Sequence, residues 1–199
     1  MFDGANMSDR ETTLIAGLGN PGEKYERTRH NAGFFVIDRL SQEFSIPLSK
    51  QKFDLVYGRG KIGGCDVILA KPMSYMNKSG FPLRKLADYI GLTSEDLFVI
   101  YDDIDLTFER LRIKDKGGHG GHNGIRSLID AFGTRDFPRL RIGIGRPDGE
   151  KDVTGHVLGR FSAEETEIMN SVVERAGQAV VSVIKDGLTV AMNNFNCLR

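Results

Sequence analysis

Two kinds of segment alternate along the chain: short apolar runs, and longer stretches whose apolar residues recur at helical spacing. Thr13 to Ala16 reads as a buried strand. It leads into a glycine- and proline-containing loop and then a helix from about Thr28, with Ala32, Phe35, Val36 and Leu40 on one face. Phe53 to Ile62 and Cys65 to Lys71 flank Gly63 and Gly64, and two glycines free to take positive φ suit the tight turn of a hairpin. After the loop at Pro72, Leu83, Leu86, Ala87 and Ile90 mark a helix that stops at Gly91. Leu97 to Tyr101 is a short apolar strand ending in Asp102 and Asp103.

The second half continues the alternation. A charged strand is expected near Phe108 to Ile113, then a glycine-dense stretch from Lys116 to Gly124, then a helix carrying Ile125, Leu128, Ile129 and Phe132 and ended by Gly133. Arg139 to Ile144 alternates strictly, so Leu140, Ile142 and Ile144 face one way while Arg139 and Arg141 face the other, toward solvent or a ligand. Ser162 and Glu165 form a capping-box pattern for a long helix to about Lys185, which Gly187 ends before a last helix over Leu188 to Phe195. Strands alternating with helices, plus one hairpin, predict an α/β fold with a mixed sheet.

Length and composition narrow the class. The 199 residues suffice for one sizeable core, and 40% hydrophobic with 27% charged residues is ordinary globular composition. Residues 1–12 are polar and unpatterned and are expected to be a flexible tail, with 13–199 as one domain. No run of about 18 apolar residues is present, and the opening residues lack a signal-peptide pattern, which predicts a cytoplasmic protein without a membrane span. Cys65 and Cys197 lack metal-ligand spacing and are expected to be free thiols. Net charge is zero, from 27 basic and 27 acidic residues, yet residues 109–146 hold nine basic against four acidic ones. That segment could hold phosphate; the plainer alternative is a set of solvated surface cations.

Candidate chemistry gathers at loops beside strand ends, where α/β sheets usually place their sites. Gly17-Leu18-Gly19-Asn20-Pro21-Gly22 spells the glycine pattern of dinucleotide-binding folds, but Asn20-Pro21-Gly22 is turn chemistry and the helix pattern begins about six residues later. Asn20, His30, Asn77, Asp102 and Asn123 all fall at such loops. Singly, each has a structural explanation as a turn or cap residue. As a set they suit hydrolysis: a histidine able to accept a proton near neutral pH, a carboxylate to fix its tautomer, and amide donors for a developing oxyanion. Without a nucleophile elbow or a well-placed cysteine, the nucleophile would be water.

Two alternatives stand beside this reading. Asp102, Asp103 and Asp105 with His119 and His122 could ligate a metal that activates the water, although no usual ligand spacing is present. Gly117 to Gly124 could cradle a phosphate through backbone N–H groups, or be a flexible surface lid; it lacks the ending of a nucleotide-binding P-loop.

The residues also carry a resemblance. The runs Gly17 to Gly22, Thr28 to Gly33, Lys71 to Asn77, Tyr101 to Leu106, Gly117 to Gly124 and Arg139 to Gly145 together resemble bacterial-type peptidyl-tRNA hydrolase, in the family's motif order from about Leu14 to Asn196. The resemblance implies a twisted mixed sheet flanked by helices, no cofactor, a monomer, and cleavage of the ester between a peptide and the 3′ end of tRNA, recycling peptidyl-tRNA released prematurely from ribosomes. Position by position it implies His30 as catalytic base and Asp102 as its orienting partner. Asn20 and Asn77 fall near the scissile ester, and Asn123 at the attacking water. Tyr25 and Met76 would shape the cleft at the tRNA 3′ end, and Lys114 and Arg141 match positions associated with the tRNA 5′-phosphate. Ser74 stands where a threonine is common, away from the catalytic positions.

Overall fold

The computed structural model describes residues 11–147 and 152–196. Among these residues seven strands form one mixed sheet: β1 (Thr12–Gly17), β2 (Lys50–Lys52), β3 (Leu55–Ile62), β4 (Cys65–Pro72), β5 (Leu97–Asp103), β6 (Leu111–Lys114) and β7 (Arg139–Gly143), in the order β2-β3-β4-β1-β5-β7-β6. The centre is parallel, β1 pairing with β4 and β5, and β5 with β7. The flanks are antiparallel, β3 against β2 and β4, and β6 against β7. Among the described residues six α-helices accompany the sheet: α1 (Ala32–Glu43), α2 (Gly80–Ile90), α3 (Asn123–Phe132), α4 (Val153–Val157), α5 (Ala163–Asp186) and α6 (Leu188–Asn196).

Strand periodicity divides the core in two. Leu14 and Ala16 of β1 join Val99 of β5 in a cluster with Leu83 and Leu86 of α2 and Ile125 and Leu128 of α3. Ile15, Phe98 and Ile100 point to the other face, among Val36 and Leu40 of α1 and Ala176, Val180 and Val183 of α5. The sheet is therefore a middle layer between helices, and its central parallel strands are buried on both faces, as their unbroken apolar runs require. Among the described residues no helix is long and apolar enough to cross a membrane.

The sequence signals for turns and caps hold at the atomic level. Gly63 and Gly64 take φ of 59° and 91° between the paired ends Ile62 and Cys65. Gly91 and Gly133 end α2 and α3 in the left-handed conformation, and the Ser162–Glu165 capping box closes reciprocally at the start of α5.

Several boundaries differ from the sequence reading. The expected helix from Thr28 is a 3-10 turn, Arg29–Asn31, followed by α1 from Ala32. The hairpin strand starts at Leu55, because Phe53 and Asp54 take positive φ and form a second tight turn to β2, a strand the pattern missed. Glu109, with φ of 73°, breaks the extended run expected from Phe108, so β6 begins at Leu111. Thr12 already belongs to β1, one residue before the expected boundary; the rest of the expected tail, apart from Glu11, and Cys197 lie outside the described residues. Of the two expectations for Arg139, solvent or a ligand, exposure to solvent is corrected. It is 1% exposed, and its guanidinium donates to the carbonyls of Phe137, Gly118 and Arg135 while lying over the Phe137 ring. Carbonyl acceptors from the neighbouring loops replace the water that a charged side chain would otherwise need.

Candidate active site

The glycines of the first loop permit a close crossing of helix and strand. A Cβ on Gly17 would lie 2.3 Å from the Gly33 carbonyl oxygen, and one on Gly33 would lie 2.4 Å from the Ile100 carbonyl oxygen. Backbone contact at this density brings the 3-10 turn bearing His30 against the end of β5, where Asp102 stands. The glycine pattern thus has a packing role here.

Asp102 is 1% exposed and His30 9%. His30 Nδ1 lies 2.9 Å from both Asp102 carboxylate oxygens. Burial works against the Asp102 charge, but the imidazoles of His30 and His122 and their hydrogen bonds outweigh it, holding the carboxyl well below its usual range. An ionised carboxylate only accepts, so Nδ1 of His30 carries the proton and Nε2 keeps its lone pair. Burial lowers the His30 pKa, yet the field and hydrogen bond of Asp102 prevail and the net shift is upward.

Asn20 follows β1 and is oriented from two sides. The Met76 N–H donates to Asn20 Oδ1 at 2.8 Å, which commits the carbonyl end of the amide and leaves its NH2 as a donor. Asn31 braces the Asn20 backbone: the Asn20 N–H donates to Asn31 Oδ1 at 2.8 Å, and Asn31 Nδ2 donates to the Asn20 carbonyl at 3.0 Å. Asn31 is 2% exposed, a buried role that its sequence position does not announce. Its only signal was a polar residue on the buried side of a helix entrance.

These groups open into a cleft of about 590 Å³ lined by Asn20, His30, Met76, Asn77, Asp102, His122 and Asn123, with Tyr75, Val153 and Val157 among the further walls. Five polar residues from distant parts of the sequence, Asn20, His30, Asn77, Asp102 and Asn123, therefore meet as expected in one place. Tyr25 is not among the lining residues; its ring packs edge-on against Tyr75, which is. Lys114 and Arg141 stand outside this cleft, in a neighbouring cavity of about 300 Å³ with Lys116, Arg139 and the backbone of Gly117 to Gly120. Val153 to Leu158, including α4, form a wall that the apolar pattern had not revealed, because α4 is too short to show a period.

His122, by its sequence position a candidate metal ligand, has a different place in the structure. It caps α3, its Nδ1 accepting from the Ile125 N–H at 3.2 Å, so its proton is on Nε2, which donates to Asp102 Oδ1 at 3.1 Å. His30, Asp102 and His122 bring three ligand-type atoms within 4.8 Å of one another, the grouping from which a metal could be held. Here those atoms address each other: both nitrogens donate to the carboxylate, so a cation among them would displace two protons and both hydrogen bonds. The other members of the expected metal set diverge, Asp103 to Arg141, Asp105 to Arg146, and His119 to the Gly121 N–H.

Fold and site together define a hydrolytic enzyme of the α/β class, with a buried histidine–carboxylate pair and amide donors around a cleft. A family model for peptidyl-tRNA hydrolase matches residues 14–199. A peptidyl-tRNA hydrolase from Bacillus subtilis is 49% identical over 183 residues, 92% of this chain and 97% of that protein. One from Shouchella clausii is 47% identical over 92% of this chain and 99% of its own length. The crystal structure of peptidyl-tRNA hydrolase from Acinetobacter baumannii superposes with a TM-score of 0.89 at 38% identity, covering 95% of this chain and 96% of the other. The chain belongs to the peptidyl-tRNA hydrolase family.

Proposed function

We propose that this enzyme cleaves the ester between a peptide, or an N-blocked amino acid, and the 3′ end of tRNA by attack of a water activated at His30 Nε2. Peptidyl-tRNA is the substrate that family membership gives. The observation that carries the mechanism is the His30–Asp102 pair, whose geometry puts the proton on Nδ1 and the free lone pair on the nitrogen facing away from the carboxylate. As water attacks, His30 takes its proton and the imidazolium is stabilised by the Asp102 charge; the proton then serves the departing ribose oxygen. The free NH2 of Asn20, with Asn77, donates to the ester carbonyl as negative charge develops on it. Asn123 orients the water, and Met76 and Tyr25, the latter through Tyr75, shape the cleft around the terminal nucleotide.

The cavity holding Lys114 and Arg141 takes the 5′-phosphate of the same acceptor stem. What supports this is its cationic lining and its position across Gly120 from the cleft. Residues 13–199 act as a single catalytic domain, as a monomer in the cytoplasm, without a cofactor, and return tRNA from prematurely released peptidyl-tRNA.

The test is release of N-acetyl-amino acid from tRNA by wild type and His30→Ala, each with and without EDTA. Wild-type activity should survive EDTA, and the variant should lose roughly 10²–10⁴-fold in rate while still binding tRNA. Full turnover by the variant would remove His30 from the mechanism. Loss of wild-type activity in EDTA would move the water onto a metal.

A further inference from the structure

The basic cavity beside the cleft is built on a costly arrangement. In the antiparallel pairing of β6 and β7, Arg112 lies opposite Arg141, and Lys114 opposite Arg139, so four cations share one face of the sheet. Tyr101 lies beside Arg141 in the parallel pairing with β5. Like charges directly opposite one another weaken a sheet unless they are compensated; carbonyls compensate Arg139 and Arg112 is exposed, which leaves Lys114 and Arg141 as the cavity cations available to an anion.

Asp103 is the carboxylate that meets the cluster. Its Oδ2 accepts from Arg141 Nε, and its Oδ1 accepts from the Asp105 N–H at 2.8 Å, so both oxygens are fixed. Among the described residues the terminal nitrogens of Arg141 have no hydrogen-bond partner, and Arg141 lines the cavity. Burial lowers the Arg141 pKa, but the Asp103 hydrogen bond and charge, helped by Tyr101 and Asp105, shift it upward. Asp103 also lines the catalytic cleft, one residue from Asp102. It therefore stands in the wall between the two sites.

We propose that Asp103 is a positioning residue for the 5′ end of the substrate. By engaging Nε of Arg141 it turns the terminal guanidinium nitrogens toward the phosphate, and so sets the preference for 5′-phosphorylated over 5′-hydroxyl tRNA. The proposal rests on the reading that this cavity holds the 5′-phosphate. It makes a prediction opposite to that of charge alone. Removing an acid from a cationic cavity should strengthen phosphate binding by Coulomb's law, whereas loss of the fork geometry should weaken it.

The experiment measures kcat and KM with N-acetyl-aminoacyl-tRNA bearing a 5′-phosphoryl or a 5′-hydroxyl end. The enzymes are wild type, Asp103→Ala, Asp103→Asn and Asp103→Glu. Wild type should favour the phosphorylated substrate about tenfold or more in kcat/KM, the scale of one or two charge-assisted hydrogen bonds. Asp103→Ala should reduce that ratio to about two, through KM, and Asp103→Glu should restore part of it. If the alanine variant does not fold, Asp103→Asn, which keeps the volume and loses the charged acceptor, is read in its place with the same expected direction. A ratio unchanged or raised by these substitutions, with only thermal stability altered, overturns the proposal and leaves the phosphate site intact. A wild-type ratio of one overturns the phosphate reading itself, and Asp103's role with it.

Discussion

His30 and His122 donate to the same oxygen of Asp102, at 2.9 and 3.1 Å, with their ring centroids 5.1 Å apart. One buried carboxylate thus orients the proposed base and a second imidazole that caps α3. Because the two nitrogens compete for one negative charge, the basicity of His30 depends on what His122 does. The Tyr101 ring, edge-on to His122 at 4.8 Å, holds the second imidazole in place.

Replacing His122 by Ala should have two separable effects. Loss of the α3 cap should cost about 1 kcal/mol of stability, read as a lower urea midpoint. Turnover should fall by roughly tenfold, well short of the His30→Ala loss, since the His30–Asp102 bond remains. A variant as inactive as His30→Ala would mean that His122 itself takes part in proton transfer.

The pH–rate profile of kcat/KM should rise with pH through the His30 pKa, because only the unprotonated imidazole can accept a proton. The net upward shift puts that acidic limb above the ordinary value of about 6.5. Asp102→Asn removes the charge that raises the pKa, so its limb should move to lower pH while the plateau drops by roughly 10²–10⁴-fold. The same shift affects folding with a defined sign. His30 binds its proton more tightly folded than unfolded, so its stabilisation is complete below its unfolded pKa and is lost as pH rises through the folded one. An acidic limb that stays in place in Asp102→Asn would separate the titration from this pair.

Asn31→Ala should destabilise the protein by about 1–3 kcal/mol, since it strips partners from the buried N–H and carbonyl of Asn20. Activity should fall with it, chiefly in kcat, because the Asn20 amide is no longer held from behind. Asn31→Asp retains the acceptor for the Asn20 N–H and loses the donor to its carbonyl, so it should fall between wild type and the alanine variant. Denaturant titration together with steady-state kinetics would show whether the two losses track.

Gly33→Ala and Gly118→Ala should differ sharply. The first places a methyl 2.4 Å from the Ile100 carbonyl oxygen and 2.5 Å from the Leu18 nitrogen, and should cost about 3 kcal/mol or more, or prevent folding. The second meets nothing within 4 Å and should stay within about 0.5 kcal/mol of wild type. Equal thermal stability of the two would contradict the close crossing of α1 over the central strands.

What the sequence made legible was whatever is decided locally. The glycine turn at 63–64, the left-handed caps at Gly91 and Gly133 and the Ser162–Glu165 box each depend on residues a few positions apart. The candidate site was legible through loops at strand ends, since a parallel sheet gathers those ends along one edge. Asn31 escaped, and His122 and Asp103 were read only as metal candidates, because their hydrogen-bond partners lie 11, 20 and 38 residues away, which no local period encodes. The burial of Arg139 was hidden for a related reason. Alternation tells which face a side chain takes, but the carbonyls of Gly118 and Arg135 that cover it come from other segments. The turn at Phe53–Asp54 was missed because it adopts positive φ without glycine.

The order of the sheet makes the enzyme a reporter on its own assembly. Strand β1 lies between β4 and β5, whose paired residues are some 50 to 80 positions further along the chain, and Asp102 reaches His30 only once β5 has docked beside β1. Pairings of such long range form slowly, because loop closure is paid before contacts are gained. Recovered turnover after dilution from denaturant would therefore time the docking of those two strands, with no added spectroscopic label.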